Sequence, residues 1–113
     1  MFSFLRKLAA GTPSIDVHEL EALLGQGTVR ILDVREPHEF KGGHVPGAVN
    51  VPIKRLPDRV GALKRDKPYA VICQSGNRSR SATNLLLDEG FEGAVSVRGG
   101  TRAWARSGRR TIR

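Results

Sequence analysis

Short apolar runs alternate with amphipathic segments along most of the chain. The runs at 29–35, 48–52, 69–72 and 94–97 are short and rich in aliphatic residues, which is typical of buried strands. Five other segments, 14–25, 36–41, 53–63, 79–89 and 101–106, are predicted helices, from apolar residues at helical spacing, from Pro37 in a first turn or from flanking glycines. Because strands and helices alternate, the pattern predicts an α/β fold with a parallel central sheet and helices on both of its faces.

Composition limits the possible classes of protein. A chain of 113 residues forms one domain with a modest core. Its single cysteine excludes an intramolecular disulfide framework and any cysteine-cluster metal site, and it suits a reducing compartment. No apolar run approaches the about 18 residues of a membrane-spanning helix. We therefore expect a cytoplasmic protein with no metal and no membrane partner.

The chain is strongly basic, with a formal net charge of +8. Nucleic acid is the first class of partner that such a charge suggests. The basic residues are spread along the chain, however, and no nucleic-acid motif or aromatic stacking set accompanies them. We therefore predict no nucleic-acid binding and interpret the charge as a solvated surface that also attracts small anions.

Three regions follow from the pattern. Residues 14–107 carry all the predicted elements and form the domain, and this complete set permits a monomer or weak dimer. Residues 1–13 form a basic amphipathic extension, whose charges follow its first apolar residues, unlike those of a signal peptide. Residues 108–113 form a basic C-terminal tail.

The only cysteine lies in the most informative stretch of the sequence. Cys73 follows the strand 69–72, and a short loop leads from it into the helix 79–89, with Ser79 near the N-cap. This order places the thiol at the carboxyl edge of the sheet, where ligands of open α/β folds bind. The helix N-terminus also attracts anions through its unpaired N–H groups. The alternative is a buried cysteine that only fills the core.

The loop after Cys73 can stabilise a thiolate. We expect its backbone N–H groups to surround the sulfur, because Gly76 allows a tight turn with positive φ. Such a bowl lowers the thiol pKa below its usual value of about 8.5 and creates a nucleophile. Arg78 and Arg80 add positive charge if they point inward. The candidate anion-binding residues are Gln74, Ser75, Gly76, Asn77, Arg78 and Ser79.

Two charged residues end the strand at 29–35. Asp33 and Arg35 should lie near the same edge of the sheet as the cysteine. In one interpretation Asp33 holds the cysteine loop by hydrogen bonds, and in the other the two residues pair with each other within the next turn. Both interpretations stay open. His44, in a turn-rich connection, is expected to be held by backbone hydrogen bonds rather than to act as an acid or base.

Three segments, in order, resemble the signatures of the rhodanese family. The first combines 33–36 (Asp-Val-Arg-Glu), 39–40 (Glu-Phe) and 43–52 (Gly-His-Val-Pro-Gly-Ala-Val-Asn-Val-Pro). The second is the loop 73–79 (Cys-Gln-Ser-Gly-Asn-Arg-Ser), and the third is 97–100 (Val-Arg-Gly-Gly). The resemblance covers nearly the whole chain and implies a single rhodanese-like domain.

The resemblance also implies an activity. Such enzymes take a sulfane sulfur from a donor such as thiosulfate and pass it to a thiophilic acceptor such as cyanide or a thiol. Cys73 would be the nucleophile and persulfide carrier, and the amides of residues 74–79 would hold the sulfur anion. Asp33 and Arg35 would be supports at the sheet edge, and no cofactor or metal is implied.

Loop length separates the subtypes of this family. The related phosphatases and arsenate reductases have a loop one residue longer, with arginine six positions after the cysteine. Here Ser79 holds that position and Arg78 comes at five, so the smaller loop suits a sulfur atom better than a phosphate. Two other functions stay open: a sulfur relay whose donor and acceptor are proteins, and a non-catalytic interaction module, against which the intact cysteine weighs.

Overall fold

In the computed structural model, which describes residues 11–113, five strands build the centre of the fold. The strands are β1 Ser14–Ile15, β2 Arg30–Asp33, β3 Val49–Asn50, β4 Tyr69–Ile72 and β5 Val95–Val97. They form one sheet in the order β1-β5-β4-β2-β3, and every pair is parallel. The predicted parallel sheet is therefore confirmed, with β4 at its centre. Of the predicted extension 1–13, residues 1–10 lie outside the described residues.

Within residues 11–113, five α-helices accompany the strands. They are α1 Val17–Gln26, α2 Pro37–Lys41, α3 Leu56–Arg59, α4 Asn77–Asp88 and α5 Gly100–Arg106. α1 begins after Asp16, whose carboxylate accepts a 2.8 Å hydrogen bond from the Glu19 N–H, and it ends at Gly27. No helix within residues 11–113 is long and apolar enough to cross a bilayer.

Two of the predicted elements differ from the structure. The pattern predicts one helix over 53–63, whereas the chain forms a 3₁₀ turn, the single turn of α3 and a second 3₁₀ turn. Pro57, in the first turn of α3, has no N–H to continue the preceding turn. Ser14 and Ile15 form an edge strand instead of starting a helix, because they pair with β5. Two residues are too few to show the alternation of apolar and polar positions that predicts a strand.

Apolar layers cover both faces of the sheet, as predicted. On one face α4 packs Leu86 into a cluster with Val71 of β4. On the other, α1 and α5 pack Leu20 and Trp104 into a cluster with Ile72 of β4. Successive residues of β4 point to opposite faces, and burying each such side chain contributes about 1.5–3 kcal/mol. β4 is therefore fixed from both sides up to the residue at which it ends.

The last residues fold back on the domain. Ile112 exchanges two backbone hydrogen bonds with His44, of 2.8 and 2.9 Å. The indole N–H of Trp104 donates to the carbonyl of Arg110 at 2.7 Å. The segment 108–113 thus lies against α5 and against the loop that precedes β3.

Candidate active site

Cys73 directly follows β4, at the carboxyl end of the central strand. All four residues of β4 are buried, and Cys73 itself is only 1% exposed. The chain turns at Gly76 and enters α4 at Asn77. The structure thus has the predicted order of strand, cysteine, loop and helix, and the thiol lies beneath the loop.

Three hydrogen-bonding groups surround the sulfur. The N–H of Gly76 donates to Sγ at 3.1 Å and the N–H of Ser79 at 3.3 Å. The Ser79 hydroxyl lies 3.6 Å from Sγ. We call these groups of Gly76 and Ser79 the sulfur cradle. All of them are uncharged dipoles, so the sulfur is held without contact to a formal charge.

The sulfur also acts as the cap of α4. The pattern predicts a helix from residue 79, with Ser79 near its N-cap, whereas α4 begins two residues earlier and has Gly76 at the N-cap. Glycine has no side chain to accept from the first-turn N–H groups, and Sγ of Cys73 accepts the third of them instead. Gly76 adopts a φ of 112°, as expected for this tight turn.

The pKa of the Cys73 thiol results from two opposing effects. Burial raises it, because a thiolate is poorly solvated beneath the loop. Hydrogen bonds from the Ser79 hydroxyl and from the N–H groups of Ser79, Gly76 and Ser75 lower it. The hydrogen bonds outweigh burial, and the pKa lies below its ordinary value, in the predicted direction.

A second buried serine supports the cradle and was not apparent from the sequence. The Ser79 hydroxyl lies 2.8 Å from that of Ser96 in β5 and 3.1 Å from the carbonyl of Gly76. Ser79 and Ser96 are 0% and 1% exposed. These two contacts hold the Ser79 oxygen in place beside Sγ. The one available signal was a polar residue between the two valines of an apolar strand.

Asp33 and Arg35 form a buried ion pair. The Asp33 carboxylate accepts hydrogen bonds from Nε and Nη2 of Arg35, at 3.0 and 2.9 Å, and from its backbone N–H at 3.0 Å. Arg35 in turn donates to the carbonyl of Gly43 at 2.9 Å and to the Gln74 side chain at 3.4 Å. The pairing interpretation is therefore right for Asp33, while the link to the cysteine loop comes from Arg35.

The two arginines of the loop region do not contact the sulfur. Arg78 forms a two-pronged ion pair with Glu39 of α2, at 2.7 and 3.0 Å, and this contact lowers the pKa of Glu39 to about 2. Arg80 is exposed and donates to the Asn77 side chain at 3.3 Å. The condition that Arg80 points inward is not met, because its position on α4 faces solvent. Arg78 acts on Cys73 only through space.

The remaining loop residues contribute through the backbone and through neighbouring side chains. Ser75 is exposed, whereas Gln74 is half-buried beside Arg35. The N–H groups of Gly76 and Ser79 donate to the sulfur at 3.1 and 3.3 Å, and the N–H of Ser75 also lowers its pKa. The N–H groups of Asn77 and Arg78 belong to the first turn of α4 and have no acceptor within the helix.

The start of α5 fixes the other side of the loop. The N–H of Thr101 donates to the carbonyl of Cys73 at 2.9 Å, and that of Arg102 to the carbonyl of Gln74 at 3.1 Å. Gly100 has a φ of 59°, and a Cβ there would overlap the backbone of Cys73 and Gln74. Only glycine lets α5 approach the loop this closely.

Two more polar residues shape this edge. His44 donates from Nδ1 to the carbonyl of Phe40 at 2.8 Å, and its ring stacks on that of Phe40, so it is held by the backbone as predicted. Asn50 donates to the carbonyls of Asp33 and Arg35, both at 2.9 Å. Asn50 thus fixes the turn after β2, a role that sequence reasoning missed.

The carboxylates near the sulfur are occupied by arginines. Asp33 pairs with Arg35 and Glu39 with Arg78. Within residues 11–113 there is no group of three or more His, Cys, Asp or Glu side chains that could hold a metal ion. The chemistry that the described residues offer at this edge is that of a single activated thiol.

Comparison with known proteins finds close relatives. The chain is 37% identical over 90 residues to the thiosulfate sulfurtransferase GlpE of Pseudomonas syringae, which is 80% of this chain and 84% of that protein. It is also 37% identical over 86 residues to the uncharacterized protein YqhL of Bacillus subtilis, covering 76% of this chain and 68% of that protein.

Solved structures give the same result. A rhodanese-related protein from Thermoplasma volcanium superposes with a TM-score of 0.81 at 36% identity, covering 88% of this chain and 97% of that one. The human single-domain sulfurtransferase TSTD1 superposes with a TM-score of 0.74 at 32% identity, covering 85% and 97%. These likenesses support a sulfurtransferase activity. The family model of the rhodanese-like domain matches residues 16–107, and the chain belongs to the rhodanese family.

Proposed function

We propose that this protein is a sulfurtransferase that moves sulfane sulfur from a thiosulfate-type donor to a thiophilic acceptor, through a persulfide on Cys73. The sulfur cradle is the observation that carries the proposal. It holds a thiol whose pKa is lowered at the carboxyl edge of the sheet, so more of the thiol is present as the nucleophilic thiolate than in an ordinary cysteine.

The first half-reaction loads the enzyme. The Cys73 thiolate attacks the outer sulfur of thiosulfate, and a new S–S bond forms between Sγ and that sulfur. The S–S bond within thiosulfate breaks, and sulfite leaves with the bonding electron pair. The attack needs no cofactor, because the donor itself supplies the oxidised sulfur.

The second half-reaction empties the enzyme. Cyanide or a thiolate attacks the outer sulfur of the persulfide and forms a new bond to it. The bond between that sulfur and Sγ breaks, the electron pair returns to Cys73, and thiocyanate or an organic persulfide is released. Donor and acceptor thus react in turn with the same cysteine, in a ping-pong mechanism.

The loop can hold the persulfide as well as the thiolate. In the loaded enzyme the negative charge resides mainly on the outer sulfur, one bond further from β4. The N–H groups of Asn77 and Arg78 are free of intrahelical acceptors and lie on the same turn as the cradle. We assign them, with those of Gln74 and Ser75, to the outer sulfur.

The side chains around the loop support this chemistry by positioning. Arg35, neutralised by Asp33, ties the loop to the turn after β2 through Gln74. Arg78 is bound by Glu39 rather than directed at the sulfur. A phosphatase would need its loop arginine at the anion, so this pairing favours sulfur transfer over phosphoryl transfer.

We also propose the substrates, the oligomeric state and the compartment of the enzyme. The donor is a small sulfur-containing anion, which the net charge of +8 attracts, and proteins can replace either substrate. The protein acts as a monomer or weak dimer, without nucleic acid. The lone thiol suits the reducing cytoplasm.

The direct test is the intact mass of the protein after incubation with excess thiosulfate and removal of the reagent. We expect a gain of one sulfur atom, about 32 Da, and its loss on addition of cyanide. Cys73→Ser should show neither change, although circular dichroism should show an intact fold. Turnover by Cys73→Ser would refute the mechanism. No mass gain from a folded protein with a titratable thiol would favour protein donors first and a binding module next.

A further inference from the structure

A cleft of about 590 Å³ lies beside the cysteine loop, between α2 and α5. We call it the α5 cleft. Gln74, the residue after Cys73, forms part of its wall, and the backbone of Arg102 is hydrogen-bonded to Gln74 at 3.1 Å. The residues used below that line it are Arg35, Glu39, Gln74, Thr101 and Arg102.

The charges of the α5 cleft do not cancel. Arg35 is neutralised by Asp33, and Glu39 is neutralised by Arg78. Arg102 is exposed and forms no ion pair within residues 11–113. One guanidinium therefore faces the cleft without a counterion, and a guanidinium pairs with a carboxylate through two parallel hydrogen bonds.

A neutral hydrogen-bonding group accompanies this cation. The side-chain hydroxyl of Thr101 is buried and has no hydrogen-bond partner among residues 11–113. Buried polar groups in native proteins are nearly always paired, so the Thr101 hydroxyl has hydrogen-bonding capacity left for an occupant of the cleft or for a water molecule.

The size of the cleft favours an organic occupant. Clefts of about 300–1,000 Å³ hold drug-sized organic molecules, whereas thiosulfate has only five heavy atoms. A molecule of that larger size meets the loaded enzyme in the second half-reaction, when an acceptor must reach the outer sulfur from outside the loop.

We propose that the α5 cleft binds the sulfur acceptor and that this acceptor is an organic thiol carrying a carboxylate, which Arg102 binds, with Thr101 as a second contact. The inference rests on the proposed function. The acceptor thiolate attacks the outer sulfur of the Cys73 persulfide, the bond to Sγ breaks, and the products are the Cys73 thiolate and the acceptor persulfide.

The test isolates the second half-reaction. The protein is loaded with thiosulfate, freed of reagent and checked by intact mass, so that a failure to load is seen separately and counts against the proposed function alone. The loaded protein is then mixed with 3-mercaptopropionate, neutral 2-mercaptoethanol or cationic cysteamine. The loss of the extra sulfur is followed by quenching and intact mass over a range of acceptor concentrations.

Arg102→Ala should raise the half-saturating concentration of 3-mercaptopropionate about fivefold, the upper range for an exposed ion pair, and Arg102→Glu should raise it further. For each thiol, the half-saturating concentration of the variant is divided by that of the wild type, and this ratio cancels the intrinsic reactivity of the thiol. That ratio should stay near one for 2-mercaptoethanol and fall below one for cysteamine in Arg102→Glu. Thr101→Val keeps the shape of the side chain and removes only the hydroxyl, and it should raise the half-saturating concentration of 3-mercaptopropionate by a smaller factor.

Lys67→Ala is the matched control, because it removes one positive charge at the start of β4, at the opposite edge of the sheet. It should leave all three ratios near one. Added salt should reduce the effect of Arg102→Ala. Equal ratios for the anionic and the neutral thiol in Arg102→Ala, or an equal effect of Lys67→Ala, would overturn the assignment while leaving the persulfide mechanism intact.

Discussion

The sulfur of Cys73 and the arginines beside it are stabilised in opposite ways. The sulfur is surrounded by neutral dipoles, which are two N–H groups and one hydroxyl of the sulfur cradle. Arg35 and Arg78 are each paired with a carboxylate. No positive side chain within residues 11–113 forms a hydrogen bond or ion pair with Sγ. Fixed dipoles therefore lower the pKa of the thiol, while the ion pairs determine the shape of the loop.

This difference has a consequence for sulfur transfer. A guanidinium at the sulfur would bind the thiolate tightly and would also hold the persulfide and the leaving sulfite. Dipoles that belong to the backbone stabilise charge at a fixed position and need no reorganisation when the charge moves outward by one bond. Arginines that are already neutralised hold the loop without competing for the sulfur.

The buried ion pair should give the largest effect on stability. Asp33→Asn leaves Arg35, which is 3% exposed, without a counterion, and should lower the free energy of unfolding by about 3 kcal/mol. Asp66→Asn removes the same type of partner from Arg30, but these side chains are 33% and 52% exposed, and the loss should be much smaller because water screens the pair. Urea unfolding measures both, and equal losses would show that burial is not the cause.

Removing the hydroxyl of the cradle should change the reactivity of Cys73. Ser79→Ala removes the hydroxyl that lies 3.6 Å from Sγ, so the pKa of Cys73 should rise and the alkylation rate at pH 7 should fall by up to about tenfold. The rate in the variant should recover as the pH is raised, because the thiolate then forms without the hydroxyl. Ser81→Ala, at an exposed position of the same helix, is the control and should behave as the wild type.

The pair between Glu39 and Arg78 should give the smallest effect. Glu39→Gln removes a half-buried charge and should cost about 1 kcal/mol at pH 7. Arg78 lowers the pKa of Glu39 from 4.5 to about 2, so its stabilisation is complete above pH 4.5 and is lost as the pH falls toward 2. The difference from wild type should therefore shrink over that range. The exposed Glu92→Gln is the control and should leave the stability at pH 7 unchanged.

Local sequence was sufficient for the position of Cys73 and for the parallel sheet. The apolar run before Cys73, Gly76 in the loop and the apolar face of the following helix are contiguous, so their order alone predicts a thiol at a carboxyl edge. The predicted start of α4 was two residues too late. Sequence rules look for a serine or a similar side chain as the N-cap, whereas here Sγ of Cys73 accepts the hydrogen bond from the first turn.

Other features depend on tertiary contacts and were not accessible from sequence patterns. Ser96 meets Ser79 from a neighbouring strand, 17 positions away. Arg78 turns from the sulfur because Glu39, 39 positions away, lies within reach. β1 exists through its pairing with β5 alone. In each case the sequence gives the residue type, but only the folded structure shows which residue it contacts.

The most direct test of the cradle is the pH dependence of iodoacetamide alkylation of the wild-type protein, in which Cys73 is the only thiol. If neutral dipoles outweigh burial, the alkylation rate should reach half of its maximum at a pH below about 8.5, the usual pKa of a free cysteine. A midpoint at or above that value would contradict the account, because the thiol would then be a buried core residue rather than an activated nucleophile.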